Sequence, residues 1–404
     1  MKFIFTLLLS AAIISAFAQQ TQTAEDSLHH DSSSFLSRTT IGGYGNAVYI
    51  RDFNQKYSSV NLERFVLFVG HKFNKKISFF SELEVEDAKV AGGKEGGEIA
   101  LEQCYLKFNV NPNNYFVAGL FLPRIGILNE NHLPNTFNGN ERTQVETFIL
   151  PSTWRELGIG FYGTLNSFPL SYSLGIVNGL NAASFEHGSV IREGRFEGRN
   201  ASANNLAATG AVQLNKNNFK AQVSGYYGGS VGLAPRQADS LKLKSGIFGT
   251  PVIVGEADLQ YEIKGFSLRI LGSMISIPDA SDINRAYANN TPKNAFGAYG
   301  EIGYNILEHS KKTSGQQLIL FVRYEMLDMN AATPANGIID ETLNQQHIVA
   351  GINYLPMKNV VIKADVRIRH TGEENPDLTI NPSPVLPPYN VNNTFLNLGI
   401  GFSF

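Results

Sequence analysis

The chain has 404 residues but only one cysteine, Cys104, so an internal disulfide framework is excluded. It also lacks an excess of charge, because 33 basic and 35 acidic side chains leave a formal net charge of -2. That balance argues against a nucleic-acid partner. After the first residues, no continuous apolar run approaches the roughly 20 residues that a membrane-spanning helix needs. No Pro/Ser-rich linker divides the chain, so we expect one domain with a uniform pattern.

Catalytic and metal-binding patterns are scarce in this sequence. Histidines such as His71, His187 and His309 are scattered along the chain, and no H-E-x-x-H pair occurs. A hydrolase needs a nucleophile, a base and an orienting group that converge on one face. The spacing of the candidate residues places no such set together. We therefore expect no enzyme, no cofactor and no metal centre.

The N-terminal segment has the features of a secretory signal. Lys2 precedes a largely apolar stretch from 3 to 17, and Ala16-Phe17-Ala18 forms a small-x-small cleavage site. An uncleaved anchor helix is disfavoured because the polar residues 19–34 contain no stop-transfer pattern. We expect a removed signal peptide at 1–18, a polar arm at 19–37 and a folded domain at 38–404.

The C-terminal segment alternates between two kinds of residue. From Leu396 to Phe404 every second residue is apolar, and the residues between them are Asn, Gly or Ser. A period of two with a terminal aromatic is typical of a transmembrane β-strand, and it resembles the signal read by the outer-membrane barrel assembly machinery. We expect Phe404 to act as that assembly signal. Cys104 has the parity of Leu106 and Phe108, which predicts a lipid-facing residue in preference to a reactive thiol.

Alternating segments occupy almost the whole mature chain, and several run near the 9–11 residues of a tilted membrane strand. Seven short polar connections are predicted at 74–76, 109–114, 163–169, 215–218, 262–265, 307–316 and 355–359. Eight longer ones separate them, at 51–60, 87–98, 123–154, 179–205, 228–251, 278–294, 328–344 and 371–393. This order predicts an all-β, transmembrane antiparallel barrel of about 16 strands.

The 123–154 segment and its flanks contain the most specific motif. Gly119, Phe121, Pro123 and Gly126 form the pattern G-x-F-x-P-x-x-G, and the Glu141-Arg142 pair and a further P-x-x-x-x-x-x-G pattern follow. The segment resembles the phosphate-selective porin O and P family of outer-membrane porins, which are 16-stranded trimeric channels. The resemblance implies a homotrimer and a loop, 123–154, that folds into the lumen and narrows it. It would place Arg124, Glu141, Arg142 and Arg155 near the constriction, although Glu141-Arg142 could instead be a loop-anchoring salt bridge.

Alternation predicts which charges face the lumen. The predicted lumenal bases are Lys107, Lys220, Arg269, Arg323, Lys363, Arg367 and Arg369. The predicted lumenal acids are Glu82, Glu84, Glu86, Glu256, Asp258, Glu262, Glu301, Glu325 and Asp365. A basic ladder on one strand and an acidic one on another leave anion selectivity and general diffusion both open.

The resulting expectation is an outer-membrane porin that lets small hydrophilic solutes, including anions such as phosphate, diffuse passively. The alternative is a non-conducting structural or adhesin-type barrel.

Overall fold

Sixteen strands form one closed antiparallel barrel, in which each strand pairs with its neighbours in sequence and β1 pairs with β16. The structure, a computed structural model, describes residues 35–87, 97–165, 167–310, 315–375 and 389–404. The predicted signal peptide and most of the polar arm lie outside these residues. The predicted strand number and the all-β fold class are confirmed. Among the described residues, no helix has the length and apolar character needed to cross a bilayer.

The first eight strands are β1 (Thr39–Asp52), β2 (Tyr57–Lys72), β3 (Ile77–Glu86), β4 (Ile99–Asn111), β5 (Asn114–Phe121), β6 (Glu156–Thr164), β7 (Leu170–Asn178) and β8 (Leu206–Lys216). The last eight are β9 (Phe219–Gly229), β10 (Pro251–Ile263), β11 (Phe266–Ser276), β12 (Asn294–Asn305), β13 (Gln317–Ala332), β14 (Asn344–Met357), β15 (Val360–Thr371) and β16 (Asn392–Ser403). Within the described ranges, two short α-helices lie in connections, α1 (Pro235–Ser240) and α2 (Ala280–Tyr287). Single helical turns occur at Leu36–Arg38, Val145–Ile149, Ala182–Ser184, Arg192–Gly194 and Glu341–Leu343.

The two faces of the strands differ in chemistry. On β13, Val322 and Tyr324 are 48% and 46% exposed, whereas Arg323 and Glu325 between them are 2% and 0% exposed. Side chains of alternate strand residues point to opposite faces, so the outer surface is apolar and the charges lie inside. Cys104 has the parity of the exposed Leu106 and Phe108, as expected.

Several connections differ from the lengths predicted for them; for example, 109–114 is reduced to 112–113 and 328–344 to 333–343. The predicted long connection at 51–60 is reduced to 53–56, because Ser58 and its neighbours pair with the end of β1. Asp52 Oδ1 closes that turn by accepting from the backbone N–H groups of Asn54 and Gln55. The predicted short connection at 307–316 spans 306–316, of which 311–314 lie outside the described residues.

A hydrophobic cluster fills part of the barrel interior. Trp154 lies in the long connection between β5 and β6 and packs against the Tyr226 ring of β9, with the ring centroids 4.7 Å apart. The same cluster includes residues of three connections and the inner wall: Ile125, Val145, Ile149, Leu180, Ile191, Ile277, Ile283, Val254, Leu271 and Tyr299. Connections therefore form a packed layer inside the ring of strands.

Gly119 in β5 gives a test of this packing. Its φ is +136°, and a Cβ placed there would lie 2.3 Å from the Cys104 carbonyl oxygen of β4. Gly119→Ala should lower the free energy of unfolding by at least about 2 kcal/mol, because the backbone conformation and the contact are both unfavourable. Gly272→Ala in β11 is the control, since no atom lies within 4 Å of its added Cβ. Urea unfolding of refolded protein measures the stability of both variants. Equal unfolding midpoints for Gly119→Ala and Gly272→Ala would contradict the strain at Gly119.

Candidate functional site

The connection between β5 and β6, residues 122–155, is called the β5–β6 loop. Its Gly126 N–H donates to the Glu256 carboxylate of β10 at 3.4 Å. Its His132 ring lies against the Tyr44 ring of β1, with centroids 5.8 Å apart. Since β1 and β10 lie on opposite sides of the closed ring, a segment that contacts both through their buried faces crosses the barrel interior.

Two asparagines of the β5–β6 loop bind polar groups of the wall. Asn138 Nδ2 donates to Glu301 Oε1 at 2.8 Å, and Asn138 Oδ1 accepts from Asn353 Nδ2 at 2.7 Å. Asn140 Nδ2 donates to Asp365 Oδ2 at 2.7 Å. An asparagine side chain offers both donors and an acceptor, so it satisfies wall groups of either kind.

Three predicted lumenal bases bind the loop backbone. Arg269, Arg323 and Lys363 donate to carbonyl oxygens of residues 136–139, at 3.0 Å, 3.1 Å and 2.7–2.9 Å respectively. Lys363 is only 5% exposed. Its ammonium group therefore binds the loop and does not face solvent. This corrects the prediction that Lys363 belongs to a ladder of solvent-facing lumenal bases. Arg323 also pairs with the two acids beside it, Glu301 and Glu325, at 3.2 and 2.8 Å.

Glu146 fastens the loop to itself and to the wall. Its Oε1 accepts from the backbone N–H groups of Ile127 and Leu128, both at 2.7 Å, and its Oε2 accepts from Tyr299 OH at 2.8 Å. Burial raises the pKa of Glu146 to about 7, although these hydrogen bonds favour the ionised form.

Charges of both signs remain partly exposed beside the loop. Glu141, 25% exposed at its side chain, pairs with Arg367 of β15 at 2.8 Å. Arg64 of β2, 13% exposed at its side chain, pairs with the buried Glu84 of β3 at 3.6 Å. Burial and the neighbouring Arg64 guanidinium lower the pKa of Arg142 to about 10. Positive and negative groups therefore alternate on this side of the interior.

A second group of predicted residues surrounds stacked tyrosines. Lys107 lies over the Tyr115 ring at 4.2 Å, and Tyr115 stacks on Tyr162 with centroids 5.2 Å apart. Arg124 lies 5.5 Å from the Tyr162 centroid and pairs with Glu130 at 2.8 Å. Arg124 thus belongs to a cation–aromatic group that is separate from the Glu141–Arg367 pair.

The remaining predicted residues have different surroundings. Arg155 pairs with Glu197 of the β7–β8 connection at 3.0 Å, so it faces that connection and not the Glu141–Arg367 pair. Arg369 donates to Asn393 Oδ1 at 3.1 Å. Glu82 is 6% exposed. Glu86 and Lys220 are half-buried.

Sequence reasoning missed Glu102, because strict alternation assigns it the lipid-facing parity of Cys104 and Leu106. The pairing of β3 with β4 shifts between Glu82 and Leu83, which makes Glu102 the extra residue of a β-bulge. Its side chain is consequently turned inward and is 0% exposed. A carboxylate at a lipid-facing parity was the signal that could have revealed the bulge.

Residues 228–232, Gly-Gly-Ser-Val-Gly, fit the G-x-S-x-G pattern of serine hydrolases. The pattern depends on an exposed serine at a sharp strand-to-helix turn. Ser230 is instead 1% exposed, and its hydroxyl donates to the Thr250 carbonyl at 2.6 Å. The Ser230 hydroxyl therefore makes a structural hydrogen bond to the backbone and is not paired with a catalytic base.

Comparison with known proteins gives one relative in sequence. An uncharacterized protein of Aquifex aeolicus (strain VF5) is 32% identical over 352 residues, which cover 84% of this chain and 78% of that protein. The chain belongs to the same family. No established family model matches it.

Solved structures share the fold with little sequence identity. Salmonella typhi OmpF, solved in complex with daunomycin, gives a TM-score of 0.55 at 12% identity and covers 91% of this chain and 97% of its own. An anion-selective porin from Comamonas acidovorans gives 0.52 at 12% identity, covering 91% and 99%. The outer membrane channel DcaP of Acinetobacter baumannii gives 0.52 at 13% identity, covering 91% and 97%. At this identity the likeness establishes a porin-like barrel fold.

Glu146 predicts a pH dependence of stability. Its pKa of about 7 in the folded protein exceeds the ordinary 4.5, so the folded state keeps a proton that the unfolded state releases. Stability from this group is complete below pH 4.5 and is lost as the pH rises to about 7. Wild type should therefore lose stability relative to Glu146→Gln between pH 5 and 8, as measured by urea unfolding. Glu193→Gln, a half-exposed glutamate of another connection, should show no such difference.

Proposed function

We propose that the protein is an outer-membrane porin that lets small hydrophilic solutes diffuse passively through a lumen narrowed by the β5–β6 loop. One observation supports this most directly. A closed sixteen-strand barrel has an apolar outer face and a charged interior in which Glu141, Arg142 and Arg367 stay partly exposed. Apolar exterior and polar interior are the arrangement of membrane channels built from strands. The proposal includes export by a cleaved signal peptide.

The selectivity proposed for this lumen favours anions, phosphate among them. Arg64, Arg142, Arg367 and Arg369 lie on the side of the interior that the hydrophobic cluster leaves polar. Guanidinium groups bind phosphate oxygens in a bidentate manner and do not lose their charge. The resemblance of the 123–154 segment to the phosphate-selective porin O and P family supports this choice and a homotrimer, and one neighbour of the same fold is an anion-selective porin.

Bilayer conductance of refolded protein tests the proposal. Replacing Arg367 and Arg369 by Gln should lower the anion/cation permeability ratio by at least about twofold at 0.01 M salt, where the Debye length is about 30 Å. The difference should shrink at 1 M salt. Lys244→Gln with Arg285→Gln is the control, because it removes two exposed charges from the β9–β10 and β11–β12 connections. An unchanged ratio at low salt in the Arg367/Arg369 variant would reject the anion selectivity.

A non-conducting structural barrel is the second candidate, and the burial of the loop favours it. Asn129, Asn138 and Asn140 of the loop are 2%, 6% and 5% exposed, so the loop occupies much of the interior. The same conductance measurement separates the two functions. Discrete channel currents would support the porin. Folded protein that inserts into the bilayer and gives no currents would support the structural barrel.

Phe404 is proposed as the signal for the barrel assembly machinery. Its side chain is 59% exposed, while its backbone N–H and carbonyl exchange hydrogen bonds with Gly43 of β1 at 2.9 and 3.0 Å. Phe404→Ala keeps those backbone bonds and removes only the ring. It should lower the amount of protein in the outer membrane severalfold, whereas refolding in detergent stays near normal. Unchanged cellular levels would contradict this role.

A further inference from the structure

We infer that Glu82, Glu102 and His132 form a binding site for a divalent transition-metal ion such as Zn²⁺, which joins the β5–β6 loop to the wall at β3 and β4. One ligand atom from each residue lies within 4.8 Å of the other two. The three residues are 6%, 0% and 3% exposed. The site goes beyond conduction and does not depend on the proposed porin function.

The β-bulge at Glu102 creates the pair of carboxylates. Glu82 points inward by ordinary alternation, and its cross-strand partner is Gln103. The bulge inserts Glu102 beside Gln103, so two adjacent residues of β4 both turn toward the interior. Bulges are frequent beside functional sites because they redirect a side chain in this way.

His132 presents the correct nitrogen to the carboxylates. Its Nδ1 lies 3.0 Å from the Asn129 carbonyl oxygen, an acceptor that requires a proton on Nδ1. In the neutral ring Nε2 then carries a lone pair, yet Nε2 lies 3.6 Å from Glu102 Oε2. Within the described part of the chain, His132 Nε2 and Glu102 Oε1 are buried and have no hydrogen-bond partner. A lone pair facing a carboxylate is favourable only with a cation or a proton between them.

Each ligand also has a partner that fixes its orientation. Tyr44 OH donates to Glu102 Oε2 at 3.1 Å, and Gln103 Nε2 donates to Glu82 Oε2 at 2.6 Å. Hydrogen bonds from outside the ligand set, above all His N–H to a backbone carbonyl, are typical of metal sites in proteins. The Asn129 carbonyl supplies that contact for His132.

The donor set selects the kind of ion. One imidazole nitrogen with two carboxylates suits Zn²⁺ better than Ca²⁺ or Mg²⁺, which prefer oxygen ligands alone. Zn²⁺ bonds of about 2.0–2.2 Å place tetrahedral ligand atoms about 3.4 Å apart, so small side-chain rotations would close the site. The ion would add to the positive charge that Arg142 and Arg64 already place near Glu102, and would so help to balance the two carboxylates.

Metal binding to full-length refolded protein tests the site. After EDTA treatment and dialysis, we expect one Zn²⁺ per chain by titration calorimetry, a rise in thermal midpoint with Zn²⁺, and no such rise with Ca²⁺. His132→Gln should weaken Zn²⁺ binding more than tenfold. His187→Gln is the matched control, since His187 Nε2 lies 2.7 Å from Asp340 Oδ2 and the described residues supply no third ligand there.

Tyr44→Phe gives a second measurement that does not remove a ligand. Loss of a hydrogen bond to a ligand typically weakens metal binding about 10- to 100-fold, so Zn²⁺ affinity should fall in a variant that still folds. Absence of stoichiometric Zn²⁺ in folded wild type would overturn the site. An equal loss of affinity in His187→Gln would also overturn it, by locating the Zn²⁺ elsewhere.

Discussion

The structure depends on the need to pair charges that the barrel wall turns inward. A ring of sixteen strands gives every second residue to the interior, and many of these residues are ionisable. A buried charge without a partner costs far more than a hydrogen bond returns, so the wall alone would be unstable if water did not reach it. The β5–β6 loop supplies the partners, because its carbonyls receive Arg269, Arg323 and Lys363, while its N–H groups bind Glu325 and Asp365.

The barrel interior has two sides that differ in chemistry, one largely hydrophobic and the other lined by charged pairs. The hydrophobic cluster around Trp154 and Ile149 lies against β5 to β13, where the β5–β6 loop packs on the β7–β8 and β11–β12 connections. The other half, near β14 to β4, keeps charged pairs such as Glu141–Arg367 and Arg64–Glu84. The charged pairs proposed to line the passage and the proposed metal site, with Glu82 on β3 and Glu102 on β4, therefore lie on the same side of the barrel.

The sequence predicts the barrel well because strand alternation is a local property. A period of two in β13 or β15 is visible without any knowledge of the partner strands, and the order of short and long connections gives the number of strands. The interior contacts were not predictable in this way. Lys363 has the sequence environment of a lumenal base, and only its distance to Gly139, 224 residues away, identifies it as a tether. Glu102 was missed for a different reason, since one bulged residue reverses the parity of its strand.

The position of the β5–β6 loop in the chain has a consequence for biosynthesis. Its residues are made before β6 to β16, yet its tethers lie on late strands: Asn140 to Asp365, Glu141 to Asn397, and Asn135 to Ser403. Such contacts have very high sequence separation and form slowly. The loop therefore cannot form these hydrogen bonds until the β15–β16 hairpin has folded. When β1 pairs with β16 and closes the ring, the loop is already inside it but has not yet adopted its final conformation.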